Sequence, residues 1–151
     1  MFLELNPLQT GSSYEVWANL YRVSSSRTGN EDGDAWTNEE EYFFGLNPVI
    51  HIDLGAPELN TDTQYPTYEY TYRTDTNGAV IYGVYRSLSL PEQTLVHEND
   101  GSGNIVNTET AVTRVGEPED NGDGTSTITL QSQQSMEDDP SQFFKAQANE
   151  L

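Results

Sequence analysis

Thr67-Tyr68-Glu69-Tyr70-Thr71-Tyr72-Arg73 places three tyrosines at a spacing of two, with polar and charged residues between them. Successive side chains of an extended strand point to opposite faces. The alternation therefore predicts a half-buried strand with Tyr68, Tyr70 and Tyr72 on one face. Asp75-Thr76-Asn77-Gly78 follows as a turn, and Asn-Gly is a strong hairpin signal. Ala79–Tyr85 then reads as the partner strand, with Tyr82 opposite the tyrosine row. Gln93–His97 is a weaker strand. Thr110–Val115 and Thr125–Leu130 form a second hairpin around Asp120-Asn121-Gly122-Asp123-Gly124, and Phe143–Ala148 is placed to close the sheet. Short strands at regular spacing with Gly, Asn and Asp turns predict a mainly β protein, an antiparallel β-sandwich.

Toward the N-terminus the period changes near Asn47-Pro48. Ser12-Ser13-Tyr14-Glu15 reads as a capping box with Ser12 as N-cap, and Val16, Trp17, Leu20 and Tyr21 recur at helical spacing. The polar run Ser24–Gly29 ends that helix. A second short helix fits Asn38–Phe44, with Gly45 as its stop and Pro48 just beyond. Residues 1–48 are thus expected to form a small EF-hand-like helix-loop-helix, and residues 49–151 the antiparallel β-sandwich.

Between the two helices runs Asn30-Glu31-Asp32-Gly33-Asp34-Ala35-Trp36-Thr37-Asn38-Glu39-Glu40-Glu41. An EF-hand loop offers oxygen ligands at its first, third, fifth, seventh, ninth and twelfth positions. That spacing assigns Asn30, Asp32, Asp34, the backbone carbonyl of Trp36, Asn38 and the chelating carboxylate of Glu41 to a Ca²⁺ ion. Ala35 occupies the sixth position, where glycine is usual, so an unusual backbone is expected there. Three carboxylates among the ligands predict moderate affinity. The competing reading is an acidic, solvated loop that binds nothing specifically.

Asp32–Pro48 resembles the "DGDGxTNxxEYxxGxxP" segment of secreted multidomain bacterial proteins, which is akin to dockerin and thrombospondin type-3 calcium repeats. Asp120–Leu130 is similar to the "DNGDGTxTVTV" hairpin of the β-rich tails that follow such segments, and Phe143-Phe144 to their closing strand. A tryptophan common in those tails is replaced here by Pro91-Glu92-Gln93. Such tails accompany sulfatases, glycosidases, lyases or adhesive proteins. The resemblance implies a non-catalytic, calcium-stabilised accessory module of a secreted protein. Its implied partners are a polysaccharide or the catalytic domain of a larger parent. The alternative is a structural subunit of an extracellular assembly or filament, self-associating through sheet edges or the segment Met1–Thr10.

Composition narrows the partners. Twenty-five acidic residues against six basic ones give a formal charge of −19, and Lys145 is the sole lysine. Such a field repels phosphate backbones and anionic bilayers and attracts cations, so neither nucleic acid nor a membrane is expected as a partner. Aromatic residues at 11% argue against a disordered acidic tail. Cysteine is absent, which rules out disulfides and thiolate metal sites; calcium can supply the bracing that secreted proteins often take from disulfides. Met1-Phe2-Leu3-Glu4 carries no export signal, so an exported chain is expected to be a mature or excised piece of something longer.

Other constellations are weaker. Glu98–Glu109 also spans twelve residues with Gly103 sixth and Glu109 twelfth, but its flanks read as strand, which favours a polar hairpin loop over a second metal loop. Asp120 and Asp123 read as turn formers. The tyrosine row could be a sugar-stacking platform or a tyrosine-rich core, and alternation favours the core. Tyr65 and Tyr85 lie outside that register and are the better exposed aromatics. Trp17 and Trp36 are expected to pack the calcium hairpin against the sheet. His51 and His97 belong to no nucleophile or zinc motif, and no catalytic residue is assigned; a glycosidase-like carboxylate pair depends on separation in space.

Overall fold

The computed structural model describes residues 13–51, 56–76, 78–88 and 92–151. The protein is mainly β, with nine strands in two antiparallel sheets and two short helices among the described residues. The chain divides between Leu54 and Gly55 into two units.

In the first unit, helix α1 spans Ser13–Tyr21 and α2 spans Asn38–Phe44. The expected Ser12 cap and the segment Met1–Thr10 lie outside the described residues. Arg22 ends α1 in the left-handed region, at φ 58°, and the Val23 N–H donates to the Ala18 carbonyl at 3.0 Å. Of the helical stripe read from the sequence, Trp17 is buried and Leu20 is 77% exposed. The stripe that packs is aromatic: Tyr42 of α2 meets Tyr14 edge-on at 5.6 Å and Trp17 at 5.4 Å.

The second unit holds β1 (Glu58–Asn60), β2 (Thr67–Arg73), β3 (Val80–Ser87), β4 (Thr94–Asn99) and β5 (Ile105–Asn107). It continues with β6 (Val112–Arg114), β7 (Glu119–Asp120), β8 (Thr125–Ser132) and β9 (Phe143–Glu150). One sheet runs β1-β2-β8-β6 with β7 also on β8, and the other runs β5-β4-β3-β9. The second expected hairpin forms as β6 and β7 on β8, with Gly122 N–H bonded to Asp120 and Thr125 N–H to Asp123 as turn formers.

The first hairpin does not form. β2 and β3 lie in different sheets, so the chain after Arg73 crosses between layers instead of folding back alongside. Both edges of β2 are taken, by β1 and by seven residues of β8, and the Thr71 and Thr127 hydroxyls meet at 2.9 Å across that ladder. Val80, Tyr82 and Val84 of β3 then face the tyrosine row across the core. Tyr68, Tyr70 and Tyr72 are at most 5% exposed, so they belong to the core and are not a sugar platform. Sequence reading also missed β1 and β5, each only three residues long.

A polar relay crosses this core. Asn99 Nδ2 donates to Tyr70 Oη at 3.3 Å, Tyr70 donates to His97 Nε2 at 2.5 Å, and His97 Nδ1 donates to Asn107 Oδ1 at 2.6 Å. Each buried group is satisfied only while the imidazole is neutral. Burial holds His97 below its ordinary value; the Asn107 bond opposes this and Arg114 adds to it. The unfolded imidazole titrates near about 6.5. Because the folded value is lower, the stability tied to His97 is complete above that pH and is lost as pH falls below it. Denaturant titrations followed by circular dichroism should show the second unit losing stability between about pH 7.5 and 5.5 relative to His97→Gln. The variant itself should cost about 1–3 kcal/mol at the higher pH. Identical pH dependence of the two proteins would contradict the relay.

Candidate metal centre

The loop between the helices is shaped by side chains bonding to backbone just ahead of them. Asn30 Oδ1 accepts from Gly33 N–H at 2.9 Å, Asp32 Oδ1 from Asp34 N–H at 3.2 Å, and Asp34 Oδ1 from Trp36 N–H at 2.7 Å. Asn30 Nδ2 closes the turn on the Asp34 carbonyl at 2.7 Å. These short polar side chains favour local turns over helix, which is why the chain coils here. Gly33 supplies the left-handed residue, at φ 72°. Ala35 has no positive φ, so the unusual backbone expected at the sixth position falls instead on the fourth, where glycine accepts it freely.

The coil hands over to α2 through a capping box. Thr37 caps the helix by accepting from Glu40 N–H, and Glu40 Oε2 accepts from Thr37 N–H at 2.8 Å. Gly45 stops the helix at φ 70°, with its N–H on the Glu41 carbonyl. Two backbone bonds tie the helix start to the segment before the loop, Asn38 N–H to Gly29 at 2.7 Å and Glu39 N–H to Arg27 at 3.0 Å. Arg27 adds an ion pair to Glu39 at 2.8 Å and lies 4.7 Å from the Tyr14 ring centroid. Across the loop, His51 Nδ1 donates to the Asp32 carbonyl at 2.9 Å.

This scaffold brings one carboxylate oxygen each of Asp32, Asp34 and Glu41 within 4.8 Å of one another. Asn38 and Glu41 are both 0% exposed and lie one turn apart on α2, hence on one face. Asp32 Oδ2 and Asn38 Oδ1 are buried with no hydrogen-bond donor among the described residues. Buried oxygens without donors are costly, and gathered carboxylates repel. A hard divalent cation removes both penalties, and an all-oxygen donor set suits Ca²⁺ or Mg²⁺ over softer metals. Trp36 is half-buried with its ring 6.0 Å from Phe44, and Asn30 is exposed with both amide atoms engaged in the turn.

Elsewhere, Glu98–Glu109 forms the β4–β5 hairpin. Asp100 spends its oxygens there on Asn104 Nδ2 at 2.6 Å and on the Ser102 and Asn104 amides, which hold its carboxyl below the usual range. No carboxylate cluster of metal-site dimensions arises from that stretch among the described residues. The residues that sequence reading missed are Thr37 and Glu40, whose T-x-x-E spacing was visible, and Glu31 and His51, which carry no local signal. No protein-family model matches the chain, and no curated protein matches it.

Both tryptophans belong to the first unit, so indole fluorescence reports its unfolding. In metal-free buffer Asp34→Asn should stabilise that unit by about 1 kcal/mol, because one of three crowded charges is removed. In saturating calcium the same variant should be the less stable protein. An unchanged order in the two buffers would contradict a cation-binding cluster.

Proposed function

We propose that the first unit is an EF-hand-like helix-loop-helix that binds one Ca²⁺, and that the chain is a non-catalytic, calcium-stabilised accessory module of a secreted protein. The observation that carries this reading is the convergence of Asp32, Asp34 and Glu41, with Asn38 one turn from Glu41 on α2 and its oxygen buried with no donor among the described residues. They fall at the third, fifth, twelfth and ninth positions of the loop, in the order an EF-hand uses. The ligands proposed in addition are Asn30 and the Trp36 carbonyl. The second unit is proposed as a two-sheet sandwich whose interior is filled by tyrosines. Association with a polysaccharide then rests on rings outside that core, Tyr65 at 41% exposure and Phe143 at 49%.

A second reading, self-association into an extracellular assembly, is favoured by β9. It is eight residues long, stands at the end of its sheet and pairs with β3 alone among the described strands. Such an edge is a template for another strand, although Lys145 on it works against pairing. Light scattering separates the readings, because a monomer at high concentration excludes assembly.

Trp36 makes the calcium claim directly measurable, since an indole in the loop can transfer excitation to a bound Tb³⁺ ion. Terbium emission excited through tryptophan should appear with the full chain and be displaced by Ca²⁺. Trp36→Phe should abolish the emission and keep calcium binding, since only its carbonyl is used. Glu41→Gln should weaken calcium binding by about a hundredfold. Absence of sensitised emission, or emission that calcium leaves untouched, overturns the reading.

A further inference from the structure

Asn38 presents an amide whose two ends differ in what they can do. Its Nδ2 donates to Glu31 Oε1 at 2.8 Å, while its Oδ1 is buried with no donor among the described residues. A carboxylate only accepts, so Glu31 can bond only the nitrogen end and leaves the oxygen end turned away from it. Tyr14 Oη donates to the Ser24 and Ser26 carbonyls, at 3.3 and 3.2 Å, in the segment that also anchors Glu31. The Glu31 carboxylate is itself anchored, its Oε2 accepting from Ser24 N–H. Space for this pair is kept by Gly29: a Cβ there would lie 2.8 Å from Asn38 Nδ2 and 3.2 Å from Glu31 Oε1.

Resting on the calcium reading above, we propose that Glu31 is a positioning residue for the metal. It sets the rotation of the Asn38 amide so that Oδ1 is presented to the cation, and it makes the ninth position of this loop specific for an amide over a carboxylate. Glu31 occupies the second position, which contributes no ligand in the twelve-residue scheme. Partners that orient a ligating group commonly matter to affinity nearly as much as the ligands.

The consequence is a reversal of sign. In a loop with no neighbour at Asn38, an Asp there adds a charge to the cage and strengthens calcium binding. Here Asn38→Asp sets a carboxylate oxygen against Glu31 Oε1 at hydrogen-bond distance, where two anions repel and neither can donate. Calcium affinity of the full chain, read by displacement of Tb³⁺ and by calorimetry, should fall about tenfold for Glu31→Ala. It should also fall for Asn38→Asp alone. In the Glu31→Gln background, where an amide can donate to the new carboxylate, Asn38→Asp should instead raise the affinity. The proposal is overturned if Asn38→Asp shifts affinity in the same direction in both backgrounds, because a role for Glu31 as distant charge or as simple scaffold predicts that result. It is also overturned if Glu31→Ala binds calcium as the unaltered chain does. Failure of the unaltered chain to bind calcium at all removes the calcium reading itself, which distinguishes the two outcomes.

Discussion

Three carboxylates held within 4.8 Å of one another are the constraint around which the first unit is organised. Like charges at that separation oppose one another, and each loses water when Glu41 is fully buried and Asp32 and Asp34 are half-buried. A chain does not gather such groups without a compensating structure. Here the compensation is a scaffold of local bonds: Asx turns at Asn30, Asp32 and Asp34, the Thr37–Glu40 capping box, and the backbone tie from Asn38 to Gly29. Aromatic packing of Tyr14, Trp17 and Tyr42 holds the two helices that deliver them.

The donor chemistry follows from which atoms are left over. The scaffold engages the Gly33, Asp34 and Trp36 N–H groups with the Oδ1 atoms of Asn30, Asp32 and Asp34, and leaves Asp32 Oδ2 and Asn38 Oδ1 without donors among the described residues. The atoms left over are oxygens, the donor type that suits a hard ion. The proposed role of the second unit differs in kind. Its core is held by stacked tyrosines and by the Asn99–Tyr70–His97–Asn107 relay, whose members satisfy one another.

The acidic cluster was legible because its spacing is local. Asp32, Asp34, Asn38 and Glu41 fall within ten residues, and a periodic rule places them without knowing the rest of the fold. The strand Thr67–Arg73 was legible for the same reason, and its boundaries match those of β2. Pairing was not legible, because it depends on competition. The Asn77-Gly78 signal suggests a hairpin, but β8 offers β2 a seven-residue ladder with hydroxyls in register, and the local preference loses. Three-residue strands such as β1 and β5 exist only because a longer neighbour lends them partners, so no period in their own residues announces them. Glu31 was illegible because its bond to Asn38 spans seven residues and depends on Gly29 leaving room.

Diffraction from crystals of the full chain grown in calcium chloride tests the central claim most directly. One ion should stand among Asp32, Asp34, Asn38 and Glu41, with oxygens at about 2.3–2.6 Å from it and both oxygens of Glu41 engaged. Saturating calcium with no density between those side chains, or with the carboxylates splayed apart into solvent, would contradict the account.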